Sequence, residues 1–391
     1  MRDQSRLAEL LDRRMTAGRD TIEVRKAAGA FELIESWLRD RGFFAPGGEG
    51  LVADLYLGYG LSETIRRERA AGPPEPCPLP LAACSVRSVG YVANNDNMCD
   101  TPLRFGSWQR TWTSRDYAAA VGRVRDAIAR GDVYQVNLVQ HLAAEFTGDP
   151  DALAARLAVL QPHNREPYRG DGWAVVSGSP ELFLARRGRR VWTCPIKGTR
   201  PAGAGASREL AGSAKDAAEH VMIVDLERND LSRICEPGSV RWPELMATRE
   251  LAGVEHMLST VEGTLRDGVG LAELLGATFP GGSITGAPKI AAVDLIAALE
   301  PVGRGASMGA LGRVHGNGDV DLALTIRTFA IAKGRIHLWV GGGVVWDSDP
   351  EAEIAESWVK ANPLLRAIGA PSVEPDEQAA GAAPRRAVVA R

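Results

Sequence analysis

The chain has 391 residues and a formal net charge of −3, and its 46 lysines and arginines are scattered along the sequence. It therefore lacks the basic stripe that binding to nucleic acid or an anionic membrane would require, and we expect a small-molecule substrate. No apolar run reaches membrane-spanning length, and the charged segment MRDQSRLAEL lacks the apolar stretch of a signal peptide. We expect a cytoplasmic protein with no membrane or nucleic-acid partner.

The N-terminal region, residues 1–112, alternates helical stretches with Pro- and Gly-rich joints such as GPPEPCPLP (72–80). FELIESWLRD (31–40) predicts an amphipathic helix with Glu35 and Ser36 on its solvent-facing side. The cysteines are odd in number and form no C-x-x-C pair, so we expect reduced thiols at Cys77, Cys84, Cys99, Cys194 and Cys235.

From Ser114 the chain alternates predicted helices and strands. SRDYAAAVGRVRDAIARGD begins with Ser114 as the helix N-cap and leads into the strand-like VYQVNLVQHL. WAVVSGSPELFLARRGRRVWTCPI predicts a hairpin around Arg187-Gly188, and GRIHLWVGGGVVW predicts another strand pair. Long helices are predicted at 207–224, 285–299 and 351–368. Hairpin-linked strands with helices between groups favour an α+β fold. The tail 369–391 has too little apolar content to pack, and we expect it to be disordered.

Two pairs of carboxylates stand three residues apart on predicted helices, Asp216 with Glu219 and Glu353 with Glu356. Each pair can present both groups on one helix face. Because no histidine pair stands at ligand spacing, this oxygen-rich set would favour Mg²⁺, bound partly through water. Two solvated helix faces are the alternative from spacing alone.

Cationic residues accompany these carboxylates. Lys360 follows Glu356 by four residues, where it reaches either that glutamate in a salt bridge or a substrate carboxylate. Arg327, expected on a strand, has the forked geometry that binds a carboxylate through two hydrogen bonds. The glycines of VGGGVV, Gly341 and Gly343 among them, would by themselves indicate a bulge or a kinked strand.

Glu181 precedes Lys197 by sixteen residues, a separation that one hairpin could close. An acid in a partly closed pocket has a raised pKa and can protonate a leaving group. A strand-end glutamate is the structural alternative, as a hydrogen-bonded core histidine is for His256.

Several motifs in a fixed order resemble the chorismate-utilising enzymes, namely anthranilate, aminodeoxychorismate, isochorismate and salicylate synthases. The motifs are PIKGT (195–199), AKDAAEHVMIVDLERNDL (214–231), FPGGSITGAPK (279–289), DLALTIRT (321–328), VGGGVV (340–345) and EAEIAESWVK (351–360). The resemblance covers roughly residues 113–365. It implies a layered α/β/β/α fold with two large, mainly antiparallel sheets, a catalytic domain at 113–368, and a shortened N-terminal region, 1–112, that completes the sheets.

The resemblance also implies roles for individual residues. It assigns Mg²⁺ to Glu219 and Glu356, assisted through water by Asp216 and Glu353, and general acid–base chemistry to Glu181. It places further positions in the substrate pocket. Arg327, Lys360 and the backbone of Gly341 and Gly343 would lie at the pyruvyl carboxylate, and Gly198, Thr199, Ser283 and His256 around the ring or its carboxylate.

Two positions distinguish members of this family. Where this chain has Gln135, isochorismate and salicylate synthases have a lysine that activates water. A neutral amide cannot act as that base. The resemblance therefore leaves ammonia as the nucleophile. Anthranilate synthases generally have alanine where this chain has Lys197. In aminodeoxychorismate synthases a lysine there attacks C2 of chorismate, and such a lysine must be neutral to react.

The chain is therefore closest to aminodeoxychorismate synthase component I. Anthranilate synthase component I, an aminodeoxyisochorismate synthase and an inactive chorismate-binding regulator are the alternatives. The sequence has no Gly-x-Cys-x-Gly glutaminase elbow, so a separate glutaminase subunit is expected to supply ammonia. In anthranilate synthases a Leu-Leu-Glu-Ser stretch holds regulatory tryptophan; Leu33–Ser36 is similar, and an amphipathic helix remains the alternative reading.

Overall fold

The computed structural model describes residues 11–16, 19–68, 71–88, 102–251, 254–371 and 373. These residues form two large antiparallel sheets with helices packed on them, which confirms the predicted α+β class. The strands, in chain order, are β1 (Leu11–Thr16), β2 (Arg19–Val24), β3 (Leu51–Leu57), β4 (Ala82–Ser88), β5 (Arg104–Phe105), β6 (Gln109–Arg110), β7 (Gln135–Thr147), β8 (Tyr168–Gly170), β9 (Trp173–Ser177), β10 (Leu182–Arg187), β11 (Arg190–Cys194), β12 (Ile196–Pro201), β13 (Arg241–Leu251), β14 (Val254–Thr264), β15 (Gly286–Ala287), β16 (Ala310–His315), β17 (Val320–Leu324), β18 (Thr328–Ala332) and β19 (Arg335–Val344).

The larger sheet has the strand order β1-β2-β4-β3-β16-β17-β10-β11-β14-β12, with β13 paired to β14. The smaller sheet has the order β15-β7-β19-β18-β9-β8, with β5 and β6 also paired to β7. Every described strand pair is antiparallel, as expected for strands that are mostly joined by hairpins.

The described helices are α1 (Ala30–Arg39), α2 (Ser114–Ala129), α3 (Pro150–Leu157), α4 (Ala206–Ala211), α5 (Ala214–Ser232), α6 (Leu271–Thr278), α7 (Lys289–Leu299) and α8 (Pro350–Ile368). Helices α4 and α5 pack on the larger sheet, and α2, α3, α7 and α8 pack on the smaller one. Among the described helices, none combines the length and apolar character needed to span a bilayer.

Helix boundaries differ from the sequence prediction where a better cap is available. The N-cap before α2 is Thr113, not Ser114, because the Thr113 hydroxyl accepts the Asp116 N–H at 3.1 Å. The predicted helix 207–224 is two helices, interrupted where Ser213 caps α5 by accepting the Asp216 N–H. Helix α7 begins at Lys289 and not at 285, because Gly286 and Ala287 instead pair with β7.

The glycine-rich segment also differs from its prediction. GRIHLWVGGGVVW contributes one strand, β19, and not a strand pair; its hairpin partner is the preceding β18. Along its other edge β19 pairs with β7 over its full length. A Cβ atom at Gly341 would lie 1.9 Å from the Leu138 carbonyl oxygen on β7, so only glycine fits there. The hairpin around Arg187-Gly188 is confirmed by β10 and β11.

The N-terminal strands β1 to β4 form one end of the larger sheet. In α1, Ser36 is exposed as predicted, but Glu35 is not simply solvated. Its carboxylate accepts the Ala272 N–H at 2.6 Å and so caps α6, which has no capping side chain of its own. The described cysteines are free thiols. Apart from its first residues, the predicted tail 369–391 lies outside the described residues, as does Cys99.

Candidate active site

Lys197, Glu181 and Ser283 meet at the end of the β10–β11 hairpin. Lys197 lies on β12, which continues after β11 along the same strand, β14, and Glu181 directly precedes β10. The β10–β11 hairpin therefore brings the two residues together. Ser283 joins them from a short 3₁₀ turn, Gly282–Ile284. Its hydroxyl donates a hydrogen bond to Glu181 Oε1 at 2.7 Å, and its carbonyl oxygen accepts one from Lys197 Nζ at 3.1 Å.

The electrostatics of this group favour uncharged forms. Glu181 is only 3 % exposed, and burial raises its pKa, an effect that Ser283 and the nearby Lys197 and Arg327 oppose. Burial lowers the pKa of Lys197, against the opposing effect of Glu181. An amine with a lowered pKa beside an acid with a raised pKa is a nucleophile next to a proton donor.

A bulge in β12 sets the direction of Lys197. The pairing with β14 joins Lys197 to Met257 and Thr199 to His256, with Gly198 left over between them. Gly198 adopts φ +65°, and a Cβ there would lie 2.6 Å from Leu210, so the bulge requires glycine. The side chain of Thr199 lies outside the described part of the structure.

His256 lies on β14, opposite this bulge. It is 1 % exposed, and neither ring nitrogen has a hydrogen-bond partner of normal geometry among the described residues. Burial, together with the positive charge of Arg327, lowers the pKa of His256 to about 4, although the Gly198 backbone raises it in part. The imidazole is therefore neutral at pH 7. Apart from the interaction with the Gly198 backbone, the ring nitrogens of His256 are available to a ligand.

Arg327 is not on a strand, contrary to the sequence prediction. It lies in the bend between β17 and β18 with φ +50°, a left-handed conformation that is uncommon outside glycine. Its carbonyl oxygen accepts the Gly178 N–H at 2.9 Å, which fixes the bend against the chain leading to Glu181. Burial lowers the pKa of the Arg327 guanidinium from its ordinary value. Strained backbone of this kind concentrates at binding sites.

Gln135 begins β7 and is fully buried. Neither its amide nitrogen nor its amide oxygen has a described hydrogen-bond partner. A Cβ at Gly343 would lie 2.1 Å from Gln135 Nε2, so glycine at this position makes room for the amide. An unsatisfied buried amide costs on the order of 1–3 kcal/mol, which a bound polar ligand would recover.

Helix α8 carries the second cluster of charges. Lys360 Nζ forms the predicted ion pair with Glu356 at 2.7 Å and also donates to the Gly341 carbonyl oxygen at 2.8 Å. Its binding of a substrate carboxylate stays a prediction. Glu353 accepts a 2.7 Å hydrogen bond from Ser348. A Cβ at Gly342 would come within 3.4 Å of both carboxylates and of Lys360, so glycine at this position leaves space beside them.

Helix α5 presents the other two carboxylates. Asp216 forms an ion pair with Arg200 at 2.9 Å, and Glu219 lies 4.0 Å from Lys215. Glu219 and Glu356 stand on different helices yet interact: burial raises the pKa of Glu219, and the negative charge of Glu356 raises it further.

The four carboxylates of α5 and α8 are candidate ligands for Mg²⁺. Within the described ranges, no three His, Cys, Asp or Glu side chains stand close enough to enclose a metal ion on their own. The chemistry of the set nevertheless fits Mg²⁺, which usually keeps several waters and takes one or two carboxylates. Glu219 and Glu356 would provide these two carboxylates. Burial raises the pKa of Glu219, against the opposing charges of Lys197 and Lys215, whereas the ion pair with Lys360 lowers the pKa of Glu356 despite its burial.

Sequence reasoning missed two buried polar residues on α5. His220 is fully buried and contacts Ser259 through a 2.6 Å hydrogen bond, and Glu227 is 6 % exposed. Both lie on the helix face that packs against the larger sheet. Their spacing of seven residues, in phase with buried apolar neighbours, is the signal that could have identified them.

Comparison with known proteins agrees with this geometry. Residues 87–366 match the family described as chorismate binding enzyme. Anthranilate synthase component 1 of Streptomyces coelicolor is 40 % identical over 281 residues, which cover 68 % of this chain and 54 % of that protein. Aminodeoxychorismate synthase component 1 of Salmonella typhimurium is 40 % identical over 280 residues, which cover 68 % of this chain and 61 % of that protein.

The solved structures give the same family. Anthranilate synthase component I from Streptococcus pneumoniae superposes with a TM-score of 0.71 and 27 % identity, covering 82 % of this chain and 81 % of that one. The chain spans between about half and three fifths of the length of the two curated relatives. The family match, the relatives and the two-sheet fold together show that the chain belongs to the chorismate binding enzymes.

Proposed function

We propose that this protein is an aminodeoxychorismate synthase component I, which converts chorismate and ammonia to 4-amino-4-deoxychorismate through a covalent adduct on Lys197. The observation that carries the proposal is the placement of Lys197. Its amine is partly buried and has a lowered pKa. It lies beside the buried acid Glu181, and both side chains are hydrogen-bonded to Ser283.

The first chemical step follows from this pair. Neutral Lys197 Nζ forms a bond to C2 of chorismate as the ring double bonds shift and the bond from C4 to its hydroxyl breaks. Glu181 donates its proton to that hydroxyl, which leaves as water. Ser283 holds the other Glu181 oxygen by its 2.7 Å hydrogen bond, so the acid keeps its direction.

The second step reverses the first with a different nucleophile. Ammonia forms the bond to C4, the double bonds shift back, and the bond between C2 and Lys197 breaks. Lys197 leaves with the electron pair of the C2–N bond and so returns directly as the neutral amine. Glu181, now a carboxylate, takes the proton that the new ammonium group at C4 loses. Overall, chorismate and ammonia give aminodeoxychorismate and water.

Substrate carboxylates are bound by the remaining groups. Arg327 and Lys360 would take the pyruvyl carboxylate, which is supported by the burial of the Arg327 guanidinium and by the contact of Lys360 with the Gly341 carbonyl oxygen. Gln135 and His256, both buried with polar atoms that lack a described partner, would supply hydrogen bonds to the substrate. Mg²⁺ held by Glu219 and Glu356, with Asp216 and Glu353 assisting through water, would neutralise the ring carboxylate when bound.

Ammonia is proposed to come from a separate glutaminase subunit. None of the described cysteines resembles an activated nucleophile: burial raises the pKa of Cys194 and raises that of Cys235 to about 11. The designation "component 1" on the relative from Salmonella typhimurium is consistent with a two-subunit enzyme.

Anthranilate synthase component I is the second candidate, because a relative of that name is equally similar in sequence. The candidates differ in where nitrogen enters, C4 in one case and C2 in the other. Incubation with chorismate, Mg²⁺ and ammonium, with and without a lyase that converts aminodeoxychorismate to p-aminobenzoate, separates them by product chromatography. Lyase-dependent p-aminobenzoate supports the proposal, and lyase-independent anthranilate overturns it.

A further inference from the structure

Glu227 is a buried acid that the mechanism above does not use. It lies on the inner face of α5 and is 6 % exposed. Its one described hydrogen bond comes from the Thr193 hydroxyl on β11, which donates to Oε2 at 3.0 Å. No described lysine, arginine or histidine forms an ion pair with it. Lys289, whose positive charge acts on Glu227, is instead bound to Asp230 and to the carbonyl oxygens of Thr278 and Pro280.

A buried carboxylate with one neutral donor and no cation is unfavourable, so Glu227 holds a proton at neutral pH. Burial, with the nearby negative charges of Glu181 and Asp230, raises the pKa of Glu227 to about 8, against the opposing effects of Thr193 and Lys289. A polar group with so few partners stabilises the fold less than an apolar side chain of the same size would. Its presence calls for a role other than stability.

Glu227 contacts both the turn that carries Ser283 and the strand that precedes Lys197. Its Cγ atom would lie 3.4 Å from a Cβ at Gly282, so it packs directly under the turn that carries Ser283. Ser283 in turn donates to Glu181. Thr193, the hydrogen-bond partner of Glu227, lies on the strand that leads within four residues to Lys197. One side chain therefore touches both the turn behind Glu181 and the strand before Lys197.

We propose that Glu227 is a positioning residue, whose hydrogen bond to Thr193 and packing under Gly282 hold the Ser283 turn and the Lys197 strand at their working separation. The assignment rests on the proposed function only in taking Glu181 and Lys197 as the reacting groups. Glu227 touches neither the ring nor the reacting atoms, and it acts through Ser283 and Thr193.

The test compares two variants. Glu227→Met keeps the size of the side chain and removes its hydrogen bond with Thr193, and Glu227→Gln keeps both the size and the hydrogen bond. Thr193→Val and the Thr193→Val/Glu227→Met double variant complete a double-mutant cycle. Asp225→Asn is the matched control, because Asp225 is an acid on the same helix that is 67 % exposed and paired with Arg228. The measurements are kcat and KM for chorismate consumption, Tm, and the crystallographic distance from Ser283 Oγ to Glu181.

For Glu227→Met we expect kcat to fall by about tenfold or more with KM within about twofold, which is the signature of a lost transition-state arrangement. The Ser283 to Glu181 distance should exceed hydrogen-bond range, while Tm stays within about 3 °C of wild type, since an apolar side chain fills the site. Glu227→Gln should restore kcat to within about threefold, and the double variant should lose no more than the worse single variant.

Three outcomes would overturn the assignment. The first is wild-type kcat in Glu227→Met with the Ser283 hydrogen bond intact. The second is a fall in kcat that parallels a fall in Tm in both Glu227→Gln and Glu227→Met, as expected if Glu227 only stabilises the fold. The third is strict additivity of the Thr193 and Glu227 changes. If wild type consumes no chorismate, the proposed function fails, and the Ser283 to Glu181 distance still decides whether Glu227 positions the turn.

Discussion

Ser283 donates a 2.7 Å hydrogen bond to Glu181, although 102 residues separate them in the chain. The same serine accepts a hydrogen bond from Lys197 Nζ through its carbonyl oxygen. A proton donor and an amine are thus held by one short turn. This arrangement matters for catalysis because a small displacement of the turn would move both groups relative to the substrate.

Lys197→Ala should abolish the covalent adduct with chorismate. We expect formation of aminodeoxychorismate to fall by at least about a thousandfold, because Lys197 is the one lysine in the described segments that acts on Glu181. Alanine also opens space near C2, so part of the residual product should be aminodeoxyisochorismate or anthranilate. Intact mass after rapid quenching and product chromatography measure both effects. Wild-type enzyme that makes only anthranilate, without an adduct, would contradict this role.

Glu181→Gln should remove the proton donor and leave the shape of the site. Turnover should fall by about 10²- to 10⁴-fold, the usual contribution of a positioned acid. In wild type, activity needs Glu181 protonated and Lys197 neutral, so it declines as pH rises through the raised pKa of Glu181 and as pH falls through the lowered pKa of Lys197. The alkaline decline should be absent from the pH–rate profile of Glu181→Gln; an unchanged profile would rule out the acid role.

Glu219→Gln and Glu356→Gln should each lower turnover by about a hundredfold or more while the far-ultraviolet circular dichroism stays that of wild type. The reason is the loss of a charged oxygen ligand for Mg²⁺. Glu351→Gln is the control, since Glu351 is exposed in the first turn of α8. Undiminished wild-type rates in excess chelator would remove the metal from the proposal.

Ammonium should support turnover by the isolated chain, and glutamine should not until a glutaminase is added. The reason is the absence of a glutaminase elbow from the sequence. Product formation is followed with each nitrogen source at a fixed chorismate concentration. Glutamine-dependent product from pure chain would reveal an amidotransferase site within it.

Glu227→Gln should be more stable than wild type at alkaline pH. The pKa of Glu227 is about 8 in the folded protein and about 4.5 when unfolded, so between these values the folded state binds the extra proton. The free energy of unfolding of wild type therefore decreases as pH rises from about 4.5 to about 8. The free energy of unfolding of the variant minus that of wild type should therefore be larger at pH 8 than at pH 5, by on the order of 1–3 kcal/mol. Urea titrations at both pH values check this, and a constant difference would contradict it.

The sequence by itself determined the α+β class, the hairpin that joins Glu181 to Lys197, and the family. These features depend on local spacing: alternation along each strand, turn residues at Arg187-Gly188, and motifs of a few residues in a fixed order. Such signals lie within one stretch of chain and can be read without knowing what packs against it.

The tertiary structure decided the features that depend on distant partners. Segment 334–346 forms a single strand because β7 pairs along the full length of β19. Arg327 lies outside β17 and β18 because its left-handed backbone, with φ +50°, interrupts the extended conformation between them. Glu227 and Ser283 acquire their contacts only when α5 and the Gly282–Ile284 turn close over the hairpin. Hydrogen bonds and packing between segments many residues apart leave no periodic trace in the sequence, so they could not be read from it.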